Sequence, residues 1–365
     1  MFRKLLKSTL PTLAKSKSKP NYEAFAQSKS APPVEPLPTE NMMSQQVSPS
    51  SVEVTEPIKF ELTQAFTSYL FNSQVTGRQE DAISQFVKQQ VETIITTQAK
   101  AIVHELPVMP ATITELANQL STEDFDTDHL LKIIAAEPSI AADIIKLANS
   151  TKYKRGDKDI TDLKAAFVTV GAAGLLEGAV YGYINGYKPV TNVYFKQFGE
   201  RIWRHSQNTA DFTQAIIKGQ APELAATAYF VGLLRNLGKM VLFQLLVEAF
   251  SWVDPDCKPN AYILKQIIDK YGLKLTYTIA KTWQLPESVL LPIAVQIKAT
   301  STAQLASVKD KHQVAVANYD ARKLSQLLML KQSARIEEED FYRELNLLVN
   351  NVEARKIAEK YIAAD

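Results

Sequence analysis

Residues 137 to 153 read EPSIAADIIKLANSTKY, and this stretch is typical of one helix with both ends marked. Pro138 suits a first helical turn, where its missing N–H removes no hydrogen bond. The apolar residues that follow recur at helical spacing up to Ala148. Asn149 and Ser150 fit the helix end, because Asn tolerates a left-handed conformation and Ser can bond the backbone. These are architectural roles, and we predict that the stretch holds helices in place without doing chemistry.

Helical signals continue on both sides of this stretch, from Leu106 onward, with short turns between them. Pro110 opens a second apolar-periodic stretch, and Asp126 or Thr127 is placed to cap the helix between the two prolines. Alternating β-branched runs are nearly absent, and the exception, 166–170, is short enough to be a buried helix. We therefore predict an all-α protein. Three glycines fit helix ends, namely Gly171, Gly219 and Gly272.

The N-terminal segment, residues 1–56, differs from the rest because it holds seven prolines, no glycine and few large apolar residues. Such a segment buries too little surface to offset its ordering entropy, so we predict a disordered tail and linker. Residues 1–20 are basic, and some of their apolar side chains could share a helical face. Two alternatives remain open for them, weak contact with an anionic membrane or partner and a solvated basic tail. The apolar residues are Phe2, Leu5, Leu6 and Leu10, and the basic ones are Arg3, Lys4, Lys7, Lys15, Lys17 and Lys19.

Two further helical regions flank the central part of the chain. Order is expected from Pro57, and the apolar stripes of residues 57–103 predict two helices that form a hairpin on the main domain. Residues 301–365 are also helical by their leucine spacing and form a C-terminal extension.

Composition sets limits on function. The net charge of +2 argues against a nucleic-acid footprint over the whole chain. Cys257 is the single cysteine, so neither an internal disulfide nor a cysteine-based zinc site is expected. We find no continuous apolar run of the about 18 residues that a membrane span needs, and no secretory signal at the start. A cytoplasmic protein is the expectation.

Several motifs occur in one order between residues 104 and 300, and together they resemble the HDOD domain, a relative of the HD phosphohydrolases found mostly in bacterial signalling proteins. The resemblance implies an all-α, HD-like helical bundle, here with additional helices at both ends. It covers Leu106-Pro107-Val108-Met109-Pro110, Glu137-Pro138, Leu147-Ala148-Asn149-Ser150 with Tyr153, Ile160 through Ala165-Ala166 to Gly171, Trp203-Arg204-His205-Ser206, and Gly232-Leu233-Leu234-Arg235-Asn236-Leu237-Gly238-Lys239.

The resemblance also places the metal-binding positions of HD hydrolases, which use a histidine on one helix and a His-Asp doublet on another. The histidine corresponds to His205, and the doublet falls on Arg235-Asn236. Arg235 cannot ligate a metal, because its guanidinium has only donors and stays protonated. Asn236 is a weaker, neutral ligand, and the region that should close such a site, 286–299, contains no His and no Asp. We therefore expect no metal, no cofactor and no catalytic residue, and we predict that the chain is not an enzyme.

The altered position leaves two hypotheses open. The cations Arg235 and Lys239, with His205 and Asn236, could form an anion-binding pocket, since Arg binds phosphate bidentately. Alternatively, Asn236 caps a helix, Gly238 breaks it, and the two cations are solvated or paired with acids. The remaining histidines, His104, His129 and His312, lack a second histidine at helical ligand spacing and fit surface or partly buried positions.

The function expected from the resemblance is that of a non-catalytic regulator in signal transduction. It would bind unknown signalling proteins through a helical surface, and a nucleotide second messenger is a further candidate ligand. The alternative is a residual metal-dependent HD-type phosphohydrolase.

Overall fold

The computed structural model describes residues 2, 4–6, 61–71, 82–106, 111–119, 126–185, 193–253, 261–299 and 301–363. Within them the chain forms sixteen α-helices and one short 3₁₀ helix, with no strand, so the prediction of an all-α protein is confirmed. Pro107, Pro110, Cys257 and most of the predicted tail lie outside the described residues.

The helices follow one another with short connections. They are α1 Leu62–Leu70, α2 Ala82–Thr97, α3 Ala99–Glu105, α4 Ala111–Gln119, α5 Thr127–Ala135, α6 Pro138–Ala148, α7 Leu163–Asn185, α8 Val193–Lys218, α9 Ala225–Leu234, α10 Leu237–Val253, α11 Ala261–Thr282, α12 Glu287–Lys298, α13 Thr302–Ser307, α14 Gln313–Gln332, α15 Glu338–Asn346 and α16 Asn351–Ile362.

Helices α8, α9 and α14 form the centre of the bundle. The long helix α8 packs against both α9 and α14, and α9 also contacts α7 and α12. Every residue of α9 from Thr227 to Leu234 is buried, which explains why its sequence is apolar all round. Two pairs of helices, α6 with α7 and α10 with α11, pack beside this centre.

The crossing of α10 and α11 depends on two glycines. Gly272 lies inside α11, so the prediction that it ends a helix is wrong. A Cβ atom on Gly238 would clash with the backbone carbonyl oxygen of Gly272 and, at 2.5 Å, with the backbone nitrogen of Thr276. Both glycines therefore serve the close approach of two helix backbones. The other two glycines behave as predicted, since Gly219 follows the last residue of α8 and Gly171 interrupts α7 with a φ of 68°.

Helix α6 begins as predicted and ends differently. Pro138 occupies its first turn, and Asn149 follows its last residue in a right-handed conformation, not a left-handed one. The Asn149 side chain instead pairs with the backbone of Ile160, accepting its N–H at 2.9 Å and donating to its carbonyl at 2.7 Å. The hydroxyl of Ser150 is buried without a partner among the described residues, so its predicted backbone bond is also wrong. A connection from beyond the loop thus determines this helix end. Asp126 caps α5 through the N–H groups of Asp128 and His129.

The terminal helices take part in the core. Helix α1 packs on α8 and α14, α2 packs on α10 and α11, and α14 also packs on α12. Phe2, Leu5 and Leu6 are buried although they fall within the segment predicted to be disordered, and the Phe2 N–H donates to Glu248 Oε2 at 2.8 Å. Their apolar side chains are therefore packed inside the protein and form no exposed face.

Two described segments, Leu163–Gly182 and Pro222–Val253, are long and apolar enough to cross a membrane, contrary to the prediction from continuous runs. Of the most apolar window of the second segment, 83% is buried inside the protein, against 50% for the first. Pro222–Val253 also contains the turn between α9 and α10, whose polar side chains bond to other helices, as described below. Its hydrophobicity is that of a core helix pair.

Candidate functional site

The candidate site is the turn between α9 and α10, which holds Arg235 and Asn236. The hydroxyl of Thr276, on α11, fixes this turn from one side. It accepts the N–H of Gly238 at 2.9 Å and lies 3.1 Å from the carbonyl oxygen of Arg235, to which it can donate. One side chain thus ties the end of α9 to the start of α10 and sets the directions in which the two turn residues point.

Asn236 is fully buried and joins this turn to α8. Its amide nitrogen donates to the hydroxyl of Ser206 at 3.2 Å, while its Oδ1 atom accepts no hydrogen bond from any described residue. The alternative in which Asn236 caps a helix is therefore wrong, since its side-chain oxygen makes no such bond and Thr276 takes the N–H of Gly238. Gly238 lies within α10 and does not break it.

Arg235 is buried, with 7% of its surface exposed, and points toward α12 and α14. Its Nε donates to Gln296 Oε1 at 3.1 Å. Gln296 in turn donates to Asn318 Oδ1 at 2.9 Å, and Asn318 donates to Thr213 Oγ1 at 3.1 Å. No carboxylate of the described residues forms an ion pair with Arg235. Burial, and next the nearby Arg322, hold the pKa of its guanidinium well below the usual range.

His205 lies in the same buried region on α8. Its Nδ1 is 2.8 Å from the hydroxyl of Ser325 on α14, and its ring packs against that of Phe66 with centroids 4.6 Å apart. Burial holds the pKa of His205 well below 6.5, and the neighbouring cations Lys239, Arg322 and Arg235 lower it further. The imidazole is therefore neutral near pH 7 and has three positive charges around it.

Lys239, predicted to face the same site, forms an ion pair with Asp269 of α11 at 2.8 Å. A cation that the sequence did not suggest, Arg322 on α14, lies close enough to Arg235 and His205 to lower the pKa of both. Its Nη1 donates to Gln326 Oε1 at 3.0 Å, while its Nε is buried without a described partner. Arg322 was missed because it lies far along the chain, in a helix without a family motif.

The site does not fit a divalent metal ion. One of the three inherited positions is a cation, the second is an amide, and the third is an imidazole surrounded by positive charge. A fixed positive charge in a low-dielectric environment repels a metal ion. Among the residues that the structure describes, no group of three or more His, Cys, Asp or Glu side chains is placed to hold a metal.

A second buried polar cluster surrounds Glu177 of α7. Its Oε2 accepts from Lys152 Nζ at 2.9 Å, from the Tyr153 hydroxyl at 2.7 Å and from the Tyr229 hydroxyl at 2.5 Å. Its Oε1 accepts from Gln207 Nε2 at 2.6 Å. Burial by itself would raise the pKa of Glu177, but Lys152 and these hydrogen bonds outweigh it and lower the pKa. The cluster is a satisfied ionic junction, and it explains why the family motif carries Tyr153.

The other predicted residues take structural positions. Leu106 and Ala148 are buried, Leu147 is half-buried, and Glu137 precedes α6 without a side-chain cap. His104 and His129 are exposed, and His312 is half-buried at the start of α14.

Comparisons with known proteins agree with this architecture. A family described as the HDOD domain matches residues 106–299, while a comparison with curated proteins finds no match. An HDOD domain protein of unknown function from Geobacter sulfurreducens has 14% identity and a TM-score of 0.49, covering 75% of this chain and 96% of its own. A candidate phosphohydrolase from Shewanella amazonensis SB2B has 17% identity and a TM-score of 0.48, covering 72% of this chain and 94% of its own.

Proposed function

This chain belongs to the HDOD domain family, and from that membership we propose that it is a non-catalytic regulatory protein of bacterial signal transduction. It acts by binding other molecules and turns over no substrate. The signalling role is what the family resemblance implies, and the binding mode is our proposal. A cytoplasmic location is part of it, because a single cysteine in 365 residues suits a reducing compartment.

One observation carries the non-catalytic part of this proposal. The guanidinium of Arg235 occupies the first position of the inherited metal-binding doublet and donates to Gln296. Metal-dependent hydrolysis requires lone pairs in a fixed geometry, with coordination positions left open for water and substrate. A guanidinium has no lone pair to offer. The segment that would close such a site, 286–299, supplies an amide that binds the arginine.

The partner side of the proposal is less specific. A protein that transmits a signal without chemistry needs a surface or a pocket that another molecule can recognise. Unknown signalling proteins are the primary partners we propose. A nucleotide second messenger is the small-molecule alternative.

Metal analysis combined with a turnover assay tests the proposal. We would purify the full chain, incubate it with Mn²⁺, Fe²⁺ or Zn²⁺, remove free metal and measure what stays bound. The same samples would be assayed with p-nitrophenyl phosphate, bis-p-nitrophenyl phosphate and cyclic dinucleotides, with an active HD phosphohydrolase as positive control. We expect far less than one equivalent of metal and no turnover.

The alternative function, a residual HD-type phosphohydrolase, predicts the opposite result. Stoichiometric metal together with turnover that the His205→Ala variant loses would overturn the proposal. Turnover that persists in His205→Ala would identify a contaminating phosphatase and leave the proposal in place.

A further inference from the structure

We propose that Arg235 and Arg322 together bind the dianionic phosphate group of a phosphate monoester at the inherited metal position. The inference rests on the proposed non-catalytic function, because it replaces a bound metal ion with a bound anion. It assigns the pocket to a pair of cations from α9–α10 and α14, with Lys239 outside the pair.

The first support is that Arg235 has no anionic partner. It is 7% exposed, and its one side-chain bond to a described residue runs from Nε to a neutral amide oxygen. The terminal nitrogens of its guanidinium donate to no described residue. Buried charges in proteins are generally paired, because removing an ion from water is costly. A charge left without its counter-ion indicates that the counter-ion comes from outside the chain.

The second support is the position of Arg322. Two cations that lower each other's tendency to stay charged would not be held together in a protein interior without a compensating anion. The Nε atom of Arg322 is buried and unpartnered, so this donor also remains to be satisfied. Guanidinium groups bind phosphate through paired N–H bonds, and two of them match a double negative charge.

The third support is that nearby groups do not neutralise this pair. Asp269 lies within electrostatic reach of Arg322 but already forms the ion pair with Lys239 and accepts a hydrogen bond from Thr67. His205 is neutral for the reasons given above. Asn236 Oδ1 is a free buried acceptor in the same turn, and it can take a hydroxyl donor of the ligand.

Isothermal titration of the full-length protein tests the assignment. The probes are inorganic phosphate, adenosine 5′-monophosphate and a cyclic dinucleotide, each at constant ionic strength. The variants are Arg235→Met, Arg322→Met and the control Arg204→Met, whose exposed arginine lies next to His205 in sequence but contacts Gln332. We expect saturable binding of at least one of the first two probes by the wild type. Each site variant should bind about tenfold more weakly or worse, because a charge-assisted pair is lost, while Arg204→Met should bind like the wild type.

The three probes separate the sources of the phosphate group. Inorganic phosphate alone indicates a free anion, whereas preference for the nucleotide indicates a larger ligand. Binding of the cyclic dinucleotide alone would overturn the monoester assignment, because its phosphates are diesters.

Other outcomes would also overturn the inference. These are no binding of phosphate or the monophosphate by the wild type, equal loss in Arg204→Met, or unchanged binding in Arg322→Met. If Arg235→Met fails to fold, Arg322→Met and the charge-preserving Arg322→Lys decide, and Lys should recover only part of the affinity because it cannot bind bidentately. Metal retention and turnover are measured separately, so failure of the anion site leaves the proposed function standing unless those assays are positive.

Discussion

Replacing Glu177 by Gln is expected to destabilise the protein strongly, although it changes one oxygen to a nitrogen. The side chain is fully buried, and its carboxylate is the common acceptor for Lys152, Tyr153, Tyr229 and Gln207. These donors come from the α6–α7 connection, from α8 and from α9. The carboxylate therefore joins three parts of the bundle, and the loss of its charge is felt by all of them.

The size of the effect follows from the bonds made to Oε2. Three donors converge there, and each hydrogen bond to a charged acceptor contributes about 1 kcal/mol more than its neutral equivalent. The Gln207 amide can rotate to meet the new NH₂ group, so its contribution is small. The side chain of Lys152 keeps 35% of its surface exposed, which reduces its share. We expect a loss of about 3 kcal/mol in the free energy of unfolding, close to the usual cost of breaking a buried ion pair.

Urea unfolding of the full chain, followed by far-ultraviolet circular dichroism, measures this loss. Asp159→Asn is the matched control, because it neutralises a carboxylate that is also paired with a lysine, Lys154, but is exposed. The control should leave the midpoint unchanged. If Glu177→Gln shifted the midpoint no more than Asp159→Asn, the carboxylate would not be the junction described here and the reasoning would be refuted.

Two further predictions concern the inherited site. The pKa of His205 is held below 6.5, so its contribution to stability is complete above about pH 6.5 and is lost below it, at up to about 1.4 kcal/mol per pH unit. Urea midpoints from pH 7.5 to 5 should therefore fall less steeply in His205→Gln than in the wild type or the exposed control His129→Gln, and equal slopes would contradict this. Gly238→Ala should cost about 1–3 kcal/mol because its Cβ meets the Gly272 backbone, whereas Gly199→Ala, on an open face of α8, should stabilise by about 0.5–1 kcal/mol. Thermal unfolding of both variants checks the pair, and a harmless Gly238→Ala would rule out the close crossing.

The fold class was accessible from the sequence because helical periodicity is a local property, as the stretch from Pro138 to Ala148 illustrates. Positions set by distant neighbours were not accessible. Gly272 was assigned to a helix end, since a glycine in isolation is more often a terminator than a crossing point. The conformation of Asn149 was wrong for a similar reason, because its partner is the backbone of Ile160 beyond a loop.

The candidate site shows the same division. The positions of Arg235, Asn236 and His205 could be anticipated from the family motifs, and the missing metal ligands were visible from residue types alone. What the motifs could not indicate is where the cations point. Lys239 is drawn to Asp269, and Arg322 enters from a helix that no motif marks. Contacts of this kind depend on the tertiary packing of α14, which local patterns do not encode.

The hydrogen-bond chain from Arg235 through Gln296 to Asn318 has a consequence for how this protein could be divided. The family match stops at residue 299, between the second and third members of that chain. A segment transplanted at this boundary would expose the inherited site to water on the side where α14 now covers it. Any influence that shifts the C-terminal helices would, by the same connection, be felt at the arginine.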